Sequence, residues 1–129
     1  MKRILCIEPN TVLADVYRRY FCNQGYEVSC VTTAQAGIDA ADDAQPDIVI
    51  LEMQLVQHNG IAFLHEFRSY VEWQQIPVIL NTLVPPSRVA AVEPPLRRDF
   101  GVVSLLYKPQ TSLAKLHEAV RRELAAVAA

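Results

Sequence analysis

No apolar run in this chain of 129 residues approaches the roughly 18 residues of a membrane-spanning helix, so no membrane partner is expected. Charge of one sign is equally scarce. Twelve Lys and Arg against fourteen Asp and Glu leave a net charge of −2, too little to draw the chain to nucleic acid or anionic lipid. The basic pairs Arg97-Arg98 and Arg121-Arg122 read as solvated faces, not as a basic stripe. Cysteine is sparse: three residues, an odd number, without C-x-x-C spacing and without a secretory signal after "MKR". That pattern excludes a disulfide framework and argues for reduced thiols in a cytoplasmic protein. Cys6 and Cys30 lie in strand-like runs and Cys22 in a helix-like one, and all three read as core packing. Repeats, linkers and low-complexity tracts are missing, so one domain over residues 1–129 is expected. Its 51% apolar content suffices for one core.

What is present is alternation. "RILCI" is a short apolar run, followed by a helix that Asn10 can cap and Gly25 can end. Its apolar positions are Val12, Val16 and Tyr20 together with Leu13, Tyr17 and Phe21. "YEVSCV" alternates, with Tyr26, Val28 and Cys30 on one side. Thr33 caps an alanine-rich helix that stops before Pro46, and "DIVILEM" reads as a strand buried on both faces. "GIAFLHEFRSYV" places Ile61, Leu64, Phe67 and Val71 on one stripe, with Tyr70 and Trp73 packing near its end. "IPVILNT" and "VVSLLY" are two more strands, and a last helix carries Leu113, Leu116, Val120, Leu124 and Val127 on one face. Between those strands lie two Pro-Pro pairs, 85–86 and 94–95. They predict a short fourth helix, roughly 87–92, broken by Pro94 and Pro95 and followed by an irregular stretch.

Strand and helix alternating five times predict a doubly wound α/β fold. Its parallel sheet has five strands in the flavodoxin-like order 2-1-3-4-5, with its crevice at the carboxyl ends of strands 1 and 3. Polar residues stand at those ends: Glu8 after strand 1, Glu52 after strand 3, Asn81-Thr82 after strand 4 and Lys108-Pro109 after strand 5. Two carboxylates, a hydroxyl and an ammonium converging there form a candidate site. Asp47 belongs to the opposite end of strand 3. His58, His65 and His117 have no metal-ligand spacing, although His58, in the loop after Glu52, can reach the crevice.

With these residues in place, the chain resembles the CheY-like receiver domains of two-component response regulators. The pieces that carry the resemblance are "ILCIEPN", "GYEV", "AQAGIDAA", "PDIVILEMQL", "NG", "PVILNT" and "YKP", which together cover the whole chain. In that family an acidic pair after strand 1 helps hold Mg²⁺, and an aspartate after strand 3 accepts a phosphoryl group from a histidine kinase. A Thr or Ser after strand 4 and a Lys-Pro after strand 5 contact the phosphate. Thr82 and Lys108 match. Glu52 stands in place of the phosphoacceptor aspartate, and Glu8-Pro9 in place of the acidic pair. Val56 replaces a frequent proline, and Leu105 stands at the family's aromatic switch position, two residues before Tyr107.

Mg²⁺ tolerates little geometric error, and phosphoryl transfer depends on the positioning and neutralisation it supplies. Losing one carboxylate and lengthening another therefore predicts weak or absent Mg²⁺ binding, no resident cofactor, and no conventional phosphorylation cycle. The expectation is a stand-alone pseudo-receiver that is not an enzyme and acts by protein binding. Its partner would be a histidine kinase or a downstream protein, with homodimerisation possible through the face of helix 4, strand 5 and helix 5. Glu52 is expected to pair with Lys108, either mimicking the phosphorylated state or only neutralising a buried charge. One alternative is a conventional, Mg²⁺-dependent phosphorylated regulator. Another is a flavin- or nucleotide-binding enzyme of the same fold, disfavoured because the turn "EPNT" has no glycine and loses an N–H at Pro9.

Overall fold

The computed structural model describes residues 1–55 and 59–128. Five strands form one parallel sheet: β1 (Arg3–Ile7), β2 (Glu27–Val31), β3 (Ile48–Leu51), β4 (Val78–Thr82) and β5 (Val102–Tyr107). Their order is β2-β1-β3-β4-β5, the flavodoxin-like topology expected from the alternation. The helices are α1 (Thr11–Asn23), α2 (Ala34–Asp43), α3 (Gly60–Ser69), α4 (Pro86–Val89), α5 (Glu93–Phe100) and α6 (Leu113–Ala128). Among the described residues none is long and apolar enough to cross a membrane.

The period of two in the central strands builds two cores, one on each face of the sheet. Leu5, Ile7, Val49, Leu51, Val78 and Leu80 face α2, α3 and α5. Their neighbours Ile4, Cys6, Ile48, Ile50 and Ile79 face α1 and α6. All four residues of β3 are buried, as befits a strand covered on both sides. Tyr26, Val28 and Cys30 pack on the α1–α6 side from the edge strand β2. Asn10 caps α1 by accepting from Leu13 N–H at 3.0 Å, and Thr33 caps α2 by accepting from Ala36 N–H at 3.1 Å. Asp47 accepts from Arg3 N–H at 2.8 Å, at the amino edge of the sheet and away from the crevice.

Four sequence expectations change. In α1 the sheet-facing line is Ala14, Tyr17 and Phe21, while Val12 is 74% exposed and Val16 also faces outward. Two apolar stripes abut on this helix, and the one with two aromatic rings to bury is centred on the sheet. In α3 the buried line is Phe63, Leu64 and Phe67, with Ile61 half-buried. The helix ends at Ser69, so Val71 is exposed and the following 3₁₀ turn buries Trp73, which stacks on Phe67. Tyr70 packs on the Trp73 ring at a 4.6 Å centroid distance. Cys22 is exposed, because it follows buried Phe21 and points to the next flank of α1.

The fourth change concerns the prolines. The first helix of that crossover is indeed short, but the stretch after it is helical, not irregular. Pro94 and Pro95 lie in the first turn of α5, directly after Glu93. A first turn has no intrahelical partner for its N–H groups, so the donors that proline lacks are not missed. Gly101, at φ 63°, ends α5 in the left-handed conformation that glycine adopts without penalty.

Candidate functional site

Register explains why the charged residues meet. Ile7 lies opposite Leu51 across β1 and β3, so Glu8 and Glu52 leave adjacent strands side by side and on the same face. Their backbones stay on the ladder. Glu52 N–H donates to Ile7 C=O at 3.1 Å, and Glu8 N–H to Val31 C=O at 2.9 Å. Both residues are 2% exposed. Two carboxylates at this depth need a cation, and Lys108, arriving from the end of β5, supplies it. Its ammonium donates to Glu52 Oε1 at 2.7 Å and also to Glu8 Oε1.

Glu52 is saturated with donors. Oε1 accepts from Lys108 and from Leu83 N–H at 3.0 Å. Oε2 accepts from the Thr82 hydroxyl and from Gln54 N–H at 3.1 Å. Four bonds fill the roughly four lone-pair positions of a carboxylate. Burial pushes the Glu52 carboxyl up. Lys108, Thr82 and the two backbone donors outweigh it and hold the group below its ordinary value of 4.5. The Thr82 hydroxyl in turn accepts from Val84 N–H at 3.1 Å, which fixes its direction. Glu8 Oε2 accepts from Asn10 N–H at 3.0 Å, across Pro9.

Asn81 stands apart from this cluster. Its amide donates to the Tyr17 hydroxyl at 2.9 Å on the α1 side of the sheet, and its buried Oδ1 has no partner among the described residues. His58 and Val56 lie outside the described residues. Leu105 is half-buried against the α2–α3 core, and Tyr107 pairs in register with Thr82.

The donor set does not fit Mg²⁺. Both carboxylates already share one ammonium, Pro9 offers no oxygen from a side chain, and every oxygen position of Glu52 is engaged. A hard divalent cation would have to displace Lys108 and still lack a ligand. Among the described residues no group of three or more His, Cys, Asp or Glu is placed to hold a metal.

The sequence brings Glu8, Glu52, Thr82 and Lys108 together and pairs Lys108 with Glu52, but it does not foretell the Glu8–Lys108 bond or the two backbone donors. Glu8 shares Lys108 with Glu52, a second ion pair that follows from the matched strand ends. Leu83 and Gln54 act through backbone N–H groups, for which side chains carry no signal. Gly60 lets α3 start directly beneath the Glu52 loop, since a Cβ there would stand 2.9 Å from Met53 Cα.

Comparison with known proteins bears on the family and the fold. The response regulator receiver domain family matches residues 4–121. The chain is 30% identical over 129 residues to the transcriptional regulatory protein KdpE of Mycobacterium tuberculosis, covering 98% of this chain and 54% of that protein. It is 28% identical over 82 residues to the regulatory protein AtoC of Escherichia coli, covering 64% of this chain and 17% of AtoC. The chain thus spans about half the length of one curated relative and far less of the other. Its fold is similar to that of a CheY-like receiver domain protein from Methanospirillum hungatei. There the TM-score is 0.83 at 19% identity, with 97% of this chain and 94% of that one covered.

Proposed function

The chain belongs to the response regulator receiver domain family, and on that premise we propose that it is a receiver whose signalling state is set without phosphorylation. As a two-component signalling module it works by binding proteins, a histidine kinase or a downstream regulator. The observation that carries the reading is the occupancy of Glu52. This side chain holds the Thr82 hydroxyl and the Lys108 ammonium, the two contacts that the family's phosphoryl group makes. Its extra methylene carries the carboxylate outward into that space. The mimicry is partial, since a phosphate brings nearly two charges and three acceptor oxygens against one and two here. Of the two roles open to Glu52, the engaged Thr82 favours the active-like one over mere charge neutralisation. Mg²⁺ has no part in this reading, and neither does catalysis.

The partner surface is the face of α4, α5, β5 and α6. There a cleft lined by Val84, Pro86, Val89, Leu105 and Tyr107 opens beside Thr82. A partner or a second copy of the chain seated on this face would sense whether Thr82 is engaged.

Incubation with a small phosphodonor and Mg²⁺, followed by intact-mass measurement, tests the proposal. The expected product is the unmodified chain. A stoichiometric phosphoryl adduct mapped to Glu52 would overturn it and restore the conventional regulator.

A further inference from the structure

Cys6 and Cys30 are not used by the site above, and the sheet places them together. In the register of β1 and β2 they are direct partners. Both side chains take the α1–α6 face, Cys6 inside that core and Cys30 packed against its edge. Neighbouring strands lie about 4.7–4.9 Å apart, within the roughly 4.4–6.8 Å Cα separation that a disulfide spans.

Their exposures are complementary. Cys6 is 1% exposed, whereas Cys30 lines a surface cleft with Thr11, Asp15, Arg18 and Thr32. A small molecule in that cleft reaches the Cys30 sulfur and not the Cys6 sulfur. A hydrogen bond from the Cys6 thiol opposes burial and, with the Arg18 guanidinium, holds the Cys30 thiol below its ordinary value. Asp15, paired with Arg18 at 2.6 Å, moderates the effect of that cation without removing it.

We propose that Cys30 is a thiol-modification site with Cys6 as its resolving partner, the two closing a reversible disulfide between β1 and β2. The oxidant is a small disulfide. The Cys30 thiolate attacks one of its sulfurs, the S–S bond breaks, and one thiolate leaves. The Cys6 thiol, pushed well up by its bond to Cys30 and by burial, is freed of that bond in the mixed disulfide. It gives its proton to the first released thiolate, attacks the Cys30 sulfur and expels the second thiolate. Two protein thiols are oxidised to one disulfide, the small disulfide is reduced to two thiols, and the two protons end on those thiols. Side chains of parallel neighbours run side by side instead of converging, so the bridge is off its ideal geometry. Such a bond is readily reduced, which makes the site reversible.

The test uses the full chain with Cys22→Ser, which removes the exposed competing thiol. Folded protein is treated with glutathione disulfide and read by intact mass and peptide mapping. The expected product has lost two hydrogens, contains a Cys6–Cys30 linked peptide, and is restored by dithiothreitol. Adding Cys6→Ser, or Cys6→Ala if serine prevents folding, should leave a stable glutathione adduct on Cys30. Adding Cys30→Ser should leave the folded chain unreactive. Two results would overturn the proposal. One is two free thiols in the folded Cys22→Ser chain under conditions that oxidise its urea-unfolded form. The other is a glutathione adduct on Cys30 that persists with Cys6 present.

Discussion

Lys108 is the residue on which the site's charge balance turns. Its ammonium lies between two carboxylates that are almost wholly inaccessible to water, and among the described residues no other side-chain cation bonds to either. Removing one partner of a buried ion pair typically costs about 3–5 kcal/mol, because the remaining charge is left uncompensated. Lys108→Met should lose stability on that order at neutral pH in urea unfolding. The pH dependence should separate this electrostatic cause from lost packing. In the wild type Glu52 titrates below its ordinary 4.5. The unfolded chain therefore binds more protons in that range, and the stabilisation, complete above the ordinary value, is lost as pH falls through the folded one. In Lys108→Met the two carboxylates face each other, one is pushed above its ordinary value, and acidification relieves the repulsion. The gap between wild type and variant should thus narrow as pH falls through the carboxylate range. A gap independent of pH would assign the loss to packing. The side chains of this cluster were legible in the sequence because each follows a strand in a parallel sheet whose order was predictable. Its backbone donors were not, since any residue at positions 54 and 83 except proline would supply the same N–H.

At the scale of elements, α5 shows how position overrides propensity. Pro94-Pro95 reads in the sequence as a break, and it is one for any helix that would enter from Ser87. Placed just after Glu93, the same pair starts a helix, with Arg97 paired back to Glu93 at 3.0 Å and Gly101 closing the other end. If so, the prolines stabilise α5 by restricting the unfolded chain. Pro94→Ala and Pro95→Ala should each cost about 0.4–1 kcal/mol in denaturant unfolding. A gain in stability from either change would mean that the pair strains the helix. The same competition explains the stripes on α1 and α3. Val12 with Val16, and Ile61 with Val71, satisfy helical spacing as well as the residues that are buried. Period alone cannot choose between adjacent stripes, and the choice falls to aromatic bulk and to where the helix ends. The strands were more legible, because their continuous branched runs have no alternative face to expose.

For the whole molecule, the division between scaffold and site is set by the sheet. β1, β3 and β4 are anchored by cores on both faces, and the polar residues are the first positions beyond those anchors or the last within them. Chemistry at the strand ends can therefore change while the architecture stays, which is how a receiver fold comes to carry Glu8-Pro9 and Glu52. The converse is testable. Glu52→Asp draws the carboxylate back from Thr82 and Lys108 by one methylene, and Pro9→Asp adds the oxygen ligand that the site lacks. Wild-type thermal stability should be indifferent to millimolar Mg²⁺, because Lys108 already engages both crevice carboxylates. The double variant should gain stability with the logarithm of Mg²⁺ concentration, reaching about 2.7 kcal/mol at a hundredfold excess over Kd. Amide shifts in a Mg²⁺ titration should then cluster around positions 8, 9, 52 and 108 in the double variant alone. Binding by the wild type would show that Lys108 is displaced more easily than its two ion pairs indicate. A silent double variant would mean that these two positions do not decide metal binding, and that the hold of Lys108 on Glu8 does.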